Sequence, residues 1–134
     1  MAADGRLRRA ARAVVCWPPI ALAGFAVATV LAFSWGCLWL GHYQHRAGVH
    51  FFQNLPRWAF GRGGTTIGAV YLTRTNTSDR VLEHERVHVE QWRRYGLAFV
   101  PLYLAAGREA TRNRFEIEAG LELGGYRPRR ATGS

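Results

Sequence analysis

Residues 20–40, "IALAGFAVATVLAFSWGCLWL", hold no charged side chain. A helix rises about 1.5 Å per residue, so this run is roughly 30 Å long, the thickness of a bilayer's hydrocarbon core. Such a run has to be covered by lipid or by the rest of the chain, and this limits the possible folds more than any other feature. Pro18 and Pro19 suit its start, and Trp17, Trp35 and Trp39 lie toward its ends as interfacial anchors do. A signal peptide has a shorter apolar stretch with a small-x-small cleavage site after it, which is not found here. The expectation is an uncleaved transmembrane helix over residues 19–41. Arg6, Arg8, Arg9 and Arg12 precede it, and only Arg46 and Arg57 follow closely. The positive-inside rule then puts residues 1–18 in the cytoplasm and the rest outside, as a single-pass cell-membrane protein.

The net charge is +9, and all 18 basic residues are arginine. The absence of lysine points to GC-rich codon usage. The arginines are spread along the chain with no RNA- or DNA-binding motif among them, so the charge reads as a membrane flank and a solvated surface, with membrane lipid as a partner and no nucleic acid. Cys16 and Cys37 would lie roughly 30 Å apart on one helix. That is beyond disulfide reach, and both are expected to be packing thiols.

Residues 42–62 mix glycine, histidine, arginine and aromatics and read as a juxtamembrane connector, with His42 and His45 as headgroup-level polar groups. Residues 65–73, "TTIGAVYLT", read as a β-strand in which Gly68 marks a bulge or a close approach. After the polar "RTNTSD" turn, Ser78 or Asp79 can cap a helix ending at Gly96. Residues 97–106 are apolar but too short to cross a bilayer, and fit a buried or membrane-dipping helix. Asn113 caps a further helix at 114–123, closed by Gly124 and Gly125, and residues 126–134 read as a disordered tail.

The helix over 79–95 carries His84-Glu85-x-x-His88. Histidines four apart project from one face, so both rings can reach one metal ion at about 2.0–2.1 Å. Glu85 is rotated about 100° from His84, where it can act as a general base toward an attacking water. The structural alternative is a polar pair on an exposed helix face. Glu109, Glu116, Glu118 and Glu122 are the downstream candidates for a third ligand, and Glu116 and Glu118 cannot share one helix face. Asn113-x-x-Glu116 is also a capping-box pattern, which would occupy Glu116 otherwise.

These motifs resemble the gluzincin branch of the zincin metallopeptidases, above all the integral-membrane endopeptidases of the HtpX and CAAX-prenyl-protease type. Those families pair His-Glu-x-x-His with Glu-x-x-Ala-Asp on a later helix. "HERVH" matches the first motif, and "EIEAG", residues 116–120, matches the second except at Gly120, which stands in place of an Asp that orients a ligand histidine. The stretch from Thr65 to Gln91 is also similar to an uncharacterised bacterial zincin-like domain with His-Glu-x-x-His-x-x-Gln.

The resemblance implies Zn2+ held by His84, His88 and Glu116, with Glu85 as the catalytic base. The expected fold is mainly α (α+β): a zincin-like minidomain over 63–125, comprising a short strand, an active-site helix and a second ligand helix, behind the transmembrane helix. The strand at 65–72 should form the edge to which a peptide or protein substrate adds. Tyr95, Tyr103 and Tyr126 are equal candidates for an oxyanion donor. The expected function is a membrane-anchored zinc metallopeptidase. Its rival is a non-catalytic zincin-like membrane protein that works by binding a partner.

Overall fold

A computed structural model describes residues 2–126. Of the tail expected at 126–134, all but Tyr126 lies outside the described residues. The fold is α+β. Helix α1 (Ala2–Val15) leads into α2 (Pro18–Leu38), which begins on its two prolines. Strands β1 (His42–Arg46) and β2 (Val49–Gln53) follow, then β3 (Gly64–Ile67) and β4 (Val70–Thr73). Helices α3 (Asp79–Tyr95), α4 (Phe99–Ala105) and α5 (Arg114–Ala119) complete the described chain.

The segment expected as a connector is therefore a β-hairpin. Its turn, Ala47-Gly48, has φ +54° and +76°, which suits the twist of a two-residue hairpin although no Asn-Gly marks it. The single strand expected at 65–73 is a second hairpin, because Gly68 at φ +61° turns the chain back. The sheet order is β1-β2-β4-β3, with β2 and β4 parallel. Among the described residues β1 and β3 are the edge strands, β3 borders a cleft, and β4 is interior.

The sheet is covered on both faces. Phe52, Val70 and Leu72 pack on Ala32 of α2. Val49, Phe51 and Tyr71 pack on Val81 and Leu82 of α3. At the far end Ala28 of α2 meets Trp92, Phe99 and Phe115. Helix α2 is long and apolar enough to cross a membrane, yet it is also a structural layer. Its Ala21, Gly24, Ala28, Ala32 and Gly36 are buried as a stripe against the other elements. Helices α2 and α3 meet at Ala28 and Trp92.

Ser78 caps α3 by accepting from Val81 N–H at 3.3 Å, and Gly96 ends it at φ +58°. The last helix ends sooner than expected. Gly120, at φ +98°, stops α5 at Ala119, and residues 121–125 form turns.

Candidate metal centre

Helices α3 and α5 together bring three donors to one point. His84 Nε2 lies 3.1 Å from His88 Nε2 and 3.1 Å from Glu116 Oε2. His88 Nε2 lies 3.2 Å from the same carboxylate oxygen. Ligands of a tetrahedral ion at about 2.0–2.1 Å are separated by about 3.3 Å, so the triangle matches a metal's needs. All three side chains are buried, at 1%, 6% and 3% exposure. This group can hold a metal ion.

The protons strengthen that reading. His84 Nδ1 is 2.8 Å from the Gly120 carbonyl, which only accepts, so Nδ1 carries the hydrogen. His88 Nδ1 is 2.7 Å from Gln91 Oε1. The Gln91 amide nitrogen donates to Phe115 O at 3.0 Å, which leaves Oε1 as the acceptor and His88 Nδ1–H as the donor. In the neutral rings both Nε2 atoms are then bare lone pairs. They face each other and a carboxylate in a buried site. Such an arrangement needs a shared cation, either a proton or a metal.

Glu116 is thus the carboxylate that reaches the histidines. The capping box is not formed: Asn113 N–H bonds to Glu109 O and Ala110 O, leaving the Glu116 side chain free to turn inward. Asn113 still caps α5, accepting from Phe115 N–H at 3.0 Å. The side chains of Glu109, Glu118 and Glu122 stay on the surface or at its margin. At position 120, where the families this chain resembles carry Asp, the glycine's own carbonyl faces the His84 ring. Gly124 lies over the His84 ring, so closely that a Cβ there would sit 2.6 Å from Cε1.

Charge in the site is tuned by its neighbours. Burial alone would raise the Glu116 carboxyl, but a proton on the facing histidine Nε2 atoms, donated to it, together with the field of His88 and the Tyr103 hydrogen bond holds it well below the ordinary range. Burial opposes charge on His88, yet the Glu116 hydrogen bond and the fields of Glu85 and Glu116 outweigh it and raise its value. Glu85 is buried too, and burial pushes its carboxyl up despite the pull of His88 and a 2.6 Å hydrogen bond from the Thr66 hydroxyl.

A cleft of about 420 Å³ opens beside the triangle. Thr66 and Ile67 of β3 line it, with Glu85, Trp92, Phe99 and Tyr103. Trp92 Nε1–H donates to Thr66 O at 2.9 Å, which locks β3 to α3 and shows that Thr66 turns its backbone polar groups away from β4.

The three tyrosines separate. Tyr95 lies in the aromatic cluster with Phe99 and Phe115 and does not line the cleft. Tyr103 donates to Glu116 Oε1 and is kept protonated by burial and by that carboxylate. Tyr126 lines the cleft 5.8 Å from the His84 ring. Its hydroxyl accepts from Arg62 Nη1 at 3.4 Å, and the same Nη1 is 3.9 Å from Glu116 Oε1. Sequence reasoning missed Arg62. The only local sign was its place in a glycine-rich loop, where it adopts φ +53°. His42 and His45 lie on β1, outside this site.

Comparison with protein-family models, characterised proteins and solved structures finds no match.

Proposed function

We propose that this chain is a zinc-dependent peptidase of zincin-like architecture, held at a membrane by its N-terminal helix. The observation that carries the reading is the pair of bare imidazole nitrogens facing Glu116, with the carboxylate of Glu85 beside them at the edge strand of an apolar cleft. Two histidines and a glutamate form the donor set of a catalytic zinc site. A zinc ion held by them would polarise a peptide carbonyl and acidify an adjacent water.

The chain's own groups supply the rest. An extended peptide lies along the β3 edge that faces away from β4, pairing with the outward groups not already engaged, since Thr66 O is held by Trp92 and Gly64 N–H by Gly61 O. Glu85 takes the proton from the attacking water and passes it to the leaving amine. Thr66 orients Glu85 through its hydroxyl. Arg62 and Tyr126 line the cleft as donors that can face the negative charge developing on the carbonyl oxygen, and Tyr103 holds Glu116 in place.

Glu85→Gln tests the assignment, because it keeps size and shape while removing the base. Zinc content, measured by elemental analysis, should be unchanged. Hydrolysis of an unstructured protein substrate should fall by roughly 10²–10⁴-fold. Equal activity in the variant would sink the mechanism. Stoichiometric zinc with no chelator-sensitive hydrolysis in the wild type would favour the partner-binding alternative.

A further inference from the structure

We propose that this chain docks on an anionic bilayer with α2 lying in the membrane plane rather than crossing it. The inference is independent of the peptidase reading. Its basis is the packing of α2. The buried stripe runs the length of the helix and carries the rest of the fold beside it at every level. A Cβ on Gly24 would lie 2.8 Å from Leu97 N, and one on Gly36 would lie 2.5 Å from the Phe52 ring. Between them Ala69 N–H donates to Thr29 Oγ1 at 3.0 Å.

A crossing helix would therefore take the sheet and α3 into the hydrocarbon with it. Arg93 stands over the Phe25 ring at 5.4 Å and pairs with Glu90 at 3.8 Å, both side chains more than half exposed. Phe25 lies seven residues into α2, roughly 10 Å from its start. At that depth a crossing would leave an exposed ion pair in lipid, which hydrocarbon excludes.

The face of α2 opposite the stripe is exposed and apolar, as at Val27, Val30 and Leu31. Leu97, Val100 and Leu104, on the segment that packs along the N-terminal half of α2, add further apolar surface at 53%, 44% and 66% exposure, and Val100 and Leu104 also line the cleft. The occupant is identified by charge. Helix α1 directly precedes α2 and carries exposed Arg6, Arg8, Arg9 and Arg12, which suit anionic headgroups. Trp17 and Trp35 are exposed toward the two ends of α2, at the level where indoles settle.

Ala23, Val30 and Cys37 provide the test. They are exposed and follow one another at steps of seven, so they share one face of the helix. The full-length protein is reconstituted into phosphatidylglycerol-containing vesicles, with a nitroxide at each position in turn and the other cysteines replaced by serine. In-plane docking gives all three labels similar depth, read as the ratio of oxygen to nickel-chelate accessibility. A Val30 label deep in the bilayer with shallow labels at Ala23→Cys and Cys37 overturns the proposal.

A second measurement uses Arg12→Cys and His42→Cys in sealed vesicles with a membrane-impermeant maleimide. Both sites should react from the same side, and reaction from opposite sides rejects the proposal. Failure to bind the vesicles, with the apolar face instead buried in a lipid-free dimer, also rejects it.

Discussion

His84 and His88 each rely on a different neighbour to point Nε2 inward. His84 uses a backbone carbonyl that a glycine presents, and His88 uses the buried side-chain amide of Gln91. Gln91→Leu should lower zinc affinity roughly 10–100-fold, as loss of such an orienting partner does. Competition with a chromophoric chelator measures it, and an unchanged dissociation constant would show that Gln91 only fills space.

Protonation gives a second prediction at this scale. Glu116 is held below its ordinary value of 4.5, so it stabilises the metal-free fold above that pH and the gain is lost as pH falls through the folded value. His88 is raised above 6.5, so its contribution is present below that pH and is lost as pH rises through the folded value. A metal needs the imidazole deprotonated. Stripping zinc should therefore lower Tm more at about pH 8 than at about pH 6, where a proton on His88 takes over the ion's role. Calorimetry with and without chelator reads the difference, and equal drops would contradict it.

The triangle was legible because its letters sit at fixed helical spacing, with Glu116 matched through a resemblance. Gly120 was legible only as a departure from that resemblance. A backbone carbonyl has no letter, so its role as the orienting acceptor could not be read. Arg62 was hidden for a related reason: it is distant from the motif in sequence, and loop geometry brings it to Glu116.

At the scale of elements, α3 was readable end to end because Ser78 and Gly96 mark its limits chemically. The β1–β2 hairpin was not. "HYQHR" and "VHFFQ" lack a clean alternation, and β2 is buried between β1 and β4, so the pattern of a half-buried strand never forms. The sequence offers two glycine stops for α5, Gly120 and Gly124-Gly125, and the helix ends at the first, where φ is +98°.

The docking of α2 depends on the absence of side chains at a few points. Gly96 has φ +58°, and a Cβ there would meet Ala21 O at 2.6 Å and Ala21 Cα at 2.8 Å. Backbone cannot rotate aside as a side chain can. Gly96→Ala should thus combine backbone strain with overpacking and destabilise by about 2–4 kcal/mol. Thermal unfolding in detergent measures this, and a change under about 0.5 kcal/mol, typical of neutral surface positions, would mean that α2 is held only loosely.

For the whole molecule, the question is whether the proposed zinc site folds without the apolar helix. Residues 63–125 contain every proposed ligand and the edge strand, and from sequence they read as a separate unit. The packing ties them to the remainder. Without residues 1–62, β4 loses β2 along one side and the sheet loses α2 from one face. Phe51 and Phe52, both almost fully buried, go with them, and so do Val49 and Leu55. Each such side chain contributes about 1.5–3 kcal/mol by burial. Together they match much of the roughly 5–15 kcal/mol by which a domain is stable, before the newly exposed Val70, Leu72 and Trp92 are considered. Fragment 63–125 should therefore be largely unfolded, with little helical circular dichroism and no tight stoichiometric zinc. Fragment 18–126, prepared in detergent, should keep both. A sharp cooperative unfolding transition from 63–125 alone would show that the helix is an attachment, not a layer of the fold.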